Sequence, residues 1–401
     1  MRRVSTKVVS LLAAMACVAP LASGPSQAQH IGEALAAKLS LDQQRAYVLH
    51  LRARAAFERE LQAYWAEVDA KRDNRKRKRS ARQPFTARDY VATQPPTYAG
   101  PALPPDVAKI VAKEKPPTPD DPLPVVADFL SAALKHYGFR PTPTKEAEFK
   151  RRYAAEALAL GLAKEQVVRV YALETGGRGT FDMQAGVDPE TKKGRAISSA
   201  LGYAQLLCAN SVGELVKHGE AFIQRLNTMA AARGTSKARA AALRAKAKAL
   251  RRMLIAARRV PNAWSAHVAM SRTPRGYGIH AINLDADIGP WLQVIKLKGL
   301  REIAERAGRG ALSGAEIELM NLAGPATGLE MMDPVARGMP TTNFFSYRGY
   351  YRNTIVRGKT AAQLLAALDE RMEIHLKKPG SIEFARAFDA LSAKRRGVAS
   401  K

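Results

Sequence analysis

Tyr171–Leu207 reads YALETGGRGTFDMQAGVDPETKKGRAISSALGYAQLL. An apolar run ends on one acid, Glu174, a glycine-rich loop follows, and a small-residue stretch closes the segment at Ser198-Ser199-Ala200-Leu201-Gly202-Tyr203-Ala204-Gln205. A carboxyl at such a junction stands half in a core and half in a cleft, where burial raises its pKa and lets it deliver a proton. The run feeding that acid, Lys164 to Leu173, contains Val167, Val168, Val170 and Tyr171, which leaves a strand open. Apolar residues on more than one face favour a buried helix. Taken alone, a glutamate at a helix end is most often a solvated or capping residue, so its role depends on the rest of the chain.

Outward from this stretch the periodicity is helical. Val126, Phe129, Leu130, Ala133 and Leu134 predict a helix ending near Tyr137-Gly138, and Thr144 to Leu160 predicts another with Phe149 and Tyr153 inward. Downstream, Leu300–Ala307 and Ser313–Leu322 predict two more, the second carrying Asn321. Ala361–Leu376 packs by Leu364, Leu365, Leu368 and Met372. Aromatics are only 6% of the 401 residues and alanine-rich segments are common, which favours helix over sheet. The fold class is therefore mainly α. The main domain runs over 125–380 and is followed by a basic tail, 381–401, whose end from Ala393 to Lys401 is expected to fray.

The formal net charge of +28 points to a polyanionic partner. Much of it lies between Ala221 and Leu284, a span without Asp or Glu. There Lys237, Arg239, Arg244, Lys246, Lys248, Arg251, Arg252, Arg258 and Arg259 load one long helix. Leu243, Leu250, Met253 and Leu254 give that helix a narrow apolar seam, enough to lie against the domain or to pair with a helix over Val212–Ala232. This defines a basic helical insertion at about 213–275.

At the other end, Arg2, Arg3 and Lys7 precede an apolar run, Val8 to about Leu21, too short to span a bilayer. Ser26-Gln27-Ala28 offers small residues for cleavage. Residues 1–28 read as a secretory signal peptide, implying export across the inner membrane to a periplasmic or envelope location. The segment before Cys17 lacks the leucine usual for lipidation. Loss of Cys17 would leave Cys208 without an intrachain partner. Residues 29–80 form an N-terminal helix opened by Ser40-Leu41-Asp42-Gln43 and ending in the basic run 71–79. That run is either solvated or suited to lipid head groups and wall polymer. Residues 81–124, rich in proline, read as an extended linker.

With these elements placed, a resemblance becomes visible. Glu174-Thr175, then Ser199-Ala200-Leu201-Gly202-Tyr203-Ala204-Gln205, then Asn283–Leu292, then Met320-Asn321-Leu322-Ala323-Gly324-Pro325 stand in the same order as four elements of the soluble lytic transglycosylases. Those enzymes have a goose-type-lysozyme-like core, and the chain resembles a divergent member over about Val125–Tyr351. Thr175 stands where the family has serine and Ala204 where it has methionine. Leu322 splits the Asn-Ala-Gly motif.

The resemblance implies a lysozyme-like helical domain and cleavage of the MurNAc-GlcNAc bond of peptidoglycan. Glu174 would be the single acid/base, and the products would carry 1,6-anhydro-muramyl ends. It implies substrate contacts from Thr175, Gly202, Tyr203, Gln205, Asn321 and Gly324. The aromatic cluster from Pro340 to Tyr351 adds Tyr350 or Tyr351 as a sugar platform, with an aromatic core plug as the competing reading. No cofactor is implied, and no metal, since His267 and His280 lack partners at ligand spacing. Peptidoglycan strands are the expected partner, with anionic envelope polymers or a membrane surface for the basic segments. A signal peptide argues against nucleic acid. Two alternatives stay open: a muramidase-type hydrolase, for which Asp182, Asp188 or Glu190 would be the second carboxylate, and a catalytically inactive wall-binding or scaffold protein of the same fold.

Overall fold

The computed structural model describes Leu35 and residues 37–114, 122–188 and 190–399, so the expected leader 1–28 lies outside the described residues. Among the described residues the protein is mainly helical and contains no strand, only isolated bridges such as Gln184 with Leu201. No helix among them is long and apolar enough to cross a membrane. In chain order the helices are α1 (Leu41–Ser80), α2 (Pro105–Glu114), α3 (Val126–Tyr137), α4 (Glu146–Ala159), α5 (Lys164–Thr175), α6 (Cys208–Ala231), α7 (Lys237–Ala257) and α8 (Trp264–Met270). They continue with α9 (Pro274–His280), α10 (Gly289–Arg306), α11 (Gly314–Ala323), α12 (Pro325–Met332), α13 (Tyr347–Arg352), α14 (Ala361–Leu376) and α15 (Pro379–Ala399).

The chain divides into two compact units, Met1–Gln62 with Pro96–Pro119, and Ala63–Pro95 with Asp120–Lys401. In the first, Leu35, Leu39 and Val107 are buried together, with Tyr47, Leu103, Ile110 and Val111 against them. Lys38 pairs with Glu114 at 2.7 Å. The 81–124 linker expectation is corrected here. Pro105 opens α2, where a missing N–H costs nothing. Residues 96–114 thus fold within the first unit rather than running as a spacer.

The proline-rich stretch also contributes to the second unit. Tyr90 and Val91 are buried, and the Asn343 side chain accepts from Val91 N at 2.9 Å and donates to Val91 O at 2.8 Å. The basic run 71–79 is engaged in the same place. Arg75, 2% exposed, donates to Glu330 at 2.7 Å and to the carbonyls of Asp89 and Asn343. Arg72 reaches the carbonyls of Thr342 and Phe345. Lys78 pairs with Asp89 at 2.7 Å. Much of this run therefore binds the protein's own carbonyls and carboxylates. Desolvated guanidinium groups are stable only when so satisfied.

The larger core of the second unit joins α3, α6, α7 and α9. The basic helix α7 pairs with α6 as a hairpin, burying Leu243, Leu250, Met253 and Leu254 with Leu215, Phe222 and Leu226. Gly219 permits the approach, since a Cβ there would stand 2.8 Å from Leu254 Cδ1. Lys246 is buried on Asp285 and Asp287 at 2.6 and 2.5 Å, and Arg152 joins Asp287 at 2.7 Å. The expected separation of a tail at 381 is corrected too: α15 runs as one helix from Pro379 to Ala399. Its Phe384 and Phe388 are fully buried, and Phe384 meets Tyr153 and Tyr171 edge-on at 5.5 and 5.2 Å. Cys208 is a free, buried thiol.

Candidate active site

Glu174 is the penultimate residue of α5, and the helix stops because Gly176 takes the left-handed cap conformation at φ 63°. The side chain opens into a cleft of about 740 Å³ in the second unit. α6 lines it with Asn210, Glu214, Lys217 and His218, α10 with Lys296, Leu300, Ile303 and Arg306, and α11 with Glu318 and Asn321. Asn210, Glu214 and Lys217 on α6, and Lys296, Leu300, Ile303 and Arg306 on α10, recur every three to four residues, so each helix presents one face to the cleft.

Four polar side chains meet around the acid. Asn321 Nδ2 donates to Glu174 Oε1 at 3.1 Å and to Glu318 at 3.2 Å. Asn321 Oδ1 accepts from Lys296 Nζ at 2.5 Å. Glu174 and Glu318 are thus bridged by one amide. Burial raises the pKa of Glu174 to about 7, against the opposing pull of the Lys296 charge and the bonds from Glu318 and Asn321. Glu318 is raised well above the carboxylate range, first by burial and then by the Glu174 charge. Lys296 is lowered by burial, with Glu174 and Glu318 opposing. The carboxyl pair therefore holds a proton into the neutral range, as close carboxylates in low dielectric do.

The remaining residues of the expected site divide. Gln205 lines the cleft in a left-handed conformation, φ 40°, its amide donating to Gly202 O at 2.8 Å and Met183 O at 3.2 Å. Gly324 also lines the cleft, where the chain turns from α11 into α12. Gly202 supports from behind: at φ 78° a Cβ would meet Gln293 Nε2 at 2.5 Å, and Gln293 accepts from Ala204 N.

Thr175 and Tyr203 do not reach the cleft. Thr175 is buried and donates to Tyr171 O at 2.7 Å. Tyr203 is buried against Tyr171, with ring centroids 4.9 Å apart, and its hydroxyl donates to Glu146. The expectation for Tyr350 and Tyr351 is corrected as well. Tyr350 is buried, its hydroxyl accepts from Gly358 N at 2.9 Å, and both rings pack on Trp65 of α1. The aromatic cluster is the seat of α1, not a wall of the cleft.

The loop acids are turn formers. Asp188 accepts from the backbone of Glu190 and Thr191 at 3.0 and 2.6 Å, while Asp182 is held by Thr180 and Lys192. The carboxylate that does meet Glu174 is Glu318, which the sequence reading overlooks together with Lys296. Glu318 was findable, because it precedes Asn321 by three residues on one helix. Lys296 carries no such signal. Among the described residues no group of three or more His, Cys, Asp or Glu is arranged to hold a metal.

The arrangement offers a proton donor poised near neutral pH at the side of an elongated groove, with an amide and an ammonium behind it. Comparison of the chain with family models, with curated proteins and with solved structures finds no match.

Proposed function

We propose that this protein is a lytic transglycosylase with a lysozyme-like domain, cleaving the MurNAc-GlcNAc bond of peptidoglycan. The observation that carries the reading is Glu174 itself, a carboxyl in a cleft with its pKa raised to about 7 and an amide bonded to one oxygen. In the reaction, protonated Glu174 gives its proton to the glycosidic oxygen as the C1–O bond breaks. The resulting carboxylate then takes the proton of the sugar's 6-hydroxyl as that oxygen bonds to C1. The acid is regenerated and no water is consumed. A pKa near the working pH suits a group that must act in both directions.

The position of Glu318 favours this chemistry over hydrolysis. Glycoside hydrolases hold their two carboxyls about 5–5.5 Å apart for a covalent intermediate, or about 6.5–9.5 Å apart to admit a water between them. Glu318 and Glu174 instead accept from the same Asn321 Nδ2, at 3.2 and 3.1 Å, so an amide rather than a water or a sugar ring bridges them.

Digestion of purified sacculi by the wild type and by Glu174→Gln, with the soluble muropeptides analysed by mass, tests the proposal. Anhydro-muropeptides from the wild type and none from the variant are expected. Reducing ends would instead identify a muramidase, and no release by the wild type would leave a wall-binding protein. Export through residues 1–28 is part of the same reading, checked by fractionating cells for the protein in the periplasm.

A further inference from the structure

Of the three tryptophans, Trp65 is buried and Trp291 is covered by Phe222 at 4.4 Å and Arg225 at 4.7 Å. Trp264 is different. It is 56% exposed and it lines the cleft that holds Glu174. It opens α8, and one turn later His267 anchors that helix against α6, its ring standing 3.0 Å from where a Cβ on Gly213 would be. Beside it on the α6 wall, Glu214 pairs with Lys217 at 3.1 Å and with His218 at 3.5 Å, and Asn210 adds an amide.

We propose that Trp264 is the stacking platform of a sugar subsite in this groove, set apart from the bond-breaking group and taking one N-acetylated hexosamine ring of a β-linked glycan. The indole offers a flat apolar face to the C–H face of a pyranose. Asn210 and Glu214 offer an amide and a carboxylate to the ring's acetamido and hydroxyl groups. An apolar surface with a few convergent polar groups is the usual make-up of a ligand site, and Trp264 supplies that surface inside the cleft. Along α10 the groove continues from Lys296 to Arg306, which at helical rise is about 15 Å, so it takes more than the sugar at the acid. The assignment rests on the glycan-cleaving reading for its ligand class but uses residues of the basic insertion, outside the four motif segments.

The test separates binding from turnover. In the full-length Glu174→Gln protein, titration with the hexamer of β-1,4-linked N-acetylglucosamine should shift the exposed-tryptophan emission to the blue and protect it from acrylamide. By calorimetry, Trp264→Ala in the same background should weaken binding about tenfold, the range of an aromatic anchor, while Trp264→Tyr should keep most of it. Unchanged affinity in Trp264→Ala, or no binding of the hexamer at all, would overturn the proposal. Inactivity on sacculi with the Trp264 response intact would remove the enzymatic reading and leave the subsite standing.

Discussion

Replacing Lys296 by methionine should move the ionisation of Glu174 upward, by an amount the geometry sets. The ammonium donates to Asn321 Oδ1 at 2.5 Å, and Asn321 Nδ2 donates to Glu174 at 3.1 Å. With about 2.3 Å across the amide, charge and carboxylate are at most about 8 Å apart. At an effective dielectric of about 20 this is worth roughly 2 kcal/mol, or one to two pH units. The sign follows from chemistry: the ammonium favours the carboxylate, so its loss lets the protonated acid persist to higher pH. A general acid is lost as pH rises through its pKa. The alkaline limb of the proposed cleavage should therefore shift up in Lys296→Met.

The assay is the initial rate of muropeptide release from sacculi between pH 5 and 9. A carbon NMR titration of the Glu174 carboxyl, assigned by its absence in Glu174→Gln, reads the same ionisation without any turnover. A limb and a titration that stay in place, or move to lower pH, would rule out an ammonium field acting on Glu174. Either result would mean that Lys296 is uncharged in the fold, or that Asn321 transmits none of its field.

Other outcomes follow from the same contacts. Glu174→Gln should melt higher than the wild type at pH 8: a carboxyl whose folded pKa is raised stabilises the fold at low pH and destabilises it as pH rises through the folded value. The difference, up to about 3 kcal/mol, should vanish near pH 4 in thermal scans. Asn321→Leu should lower cleavage by at least about tenfold through loss of the amide that orients Glu174, with KM little changed. Phe384→Ala removes a fully buried ring and should cost about 3–5 kcal/mol in denaturant titrations, whereas a frayed tail would show no change. Arg75→Ala leaves the buried Glu330 carboxylate with Arg79 for a partner but not Arg75, and should cost at most about 3–5 kcal/mol.

The helical class was legible because amphipathic spacing is local: the runs around Phe129, Tyr153 and Leu364 each report their own face. Glu174 and Asn321 were legible only as a pair of motifs, and they do meet, at 3.1 Å. What the sequence hides is which distant residue a side chain will find. The Lys71–Arg79 run reads as solvated charge because Glu330 and Asn343 lie more than 250 positions away. Tyr350 and Tyr351 read as sugar platforms because their actual partner, Trp65, stands on another helix. Phe384 and Phe388 sit a helical turn apart in a span whose basic end draws attention to charge, so their apolar stripe was passed over. Glu318 was missed for a different reason: a second carboxylate was sought across the loop, not three residues before Asn321.

That misplacement bears on mechanism. A hydrolase assigns two protonation states to two separated carboxyls and needs their environments to differ. A single acid/base must serve as donor and acceptor within one turnover, so neither form can be strongly preferred. Around Glu174 burial outweighs the opposing effects. Burial favours the protonated acid, while the Lys296 charge and the bonds from Glu318 and Asn321 favour the carboxylate, and the result stands near 7. Glu318 is also raised well above the carboxylate range, by burial and by the Glu174 charge. In the proposed reaction, Asn321, which donates to both carboxyls, would hold the new Glu174 carboxylate in place until the 6-hydroxyl arrives. A carboxyl bridged to the acid by one amide, useless as an opposing nucleophile, suits the one-acid reaction proposed for Glu174.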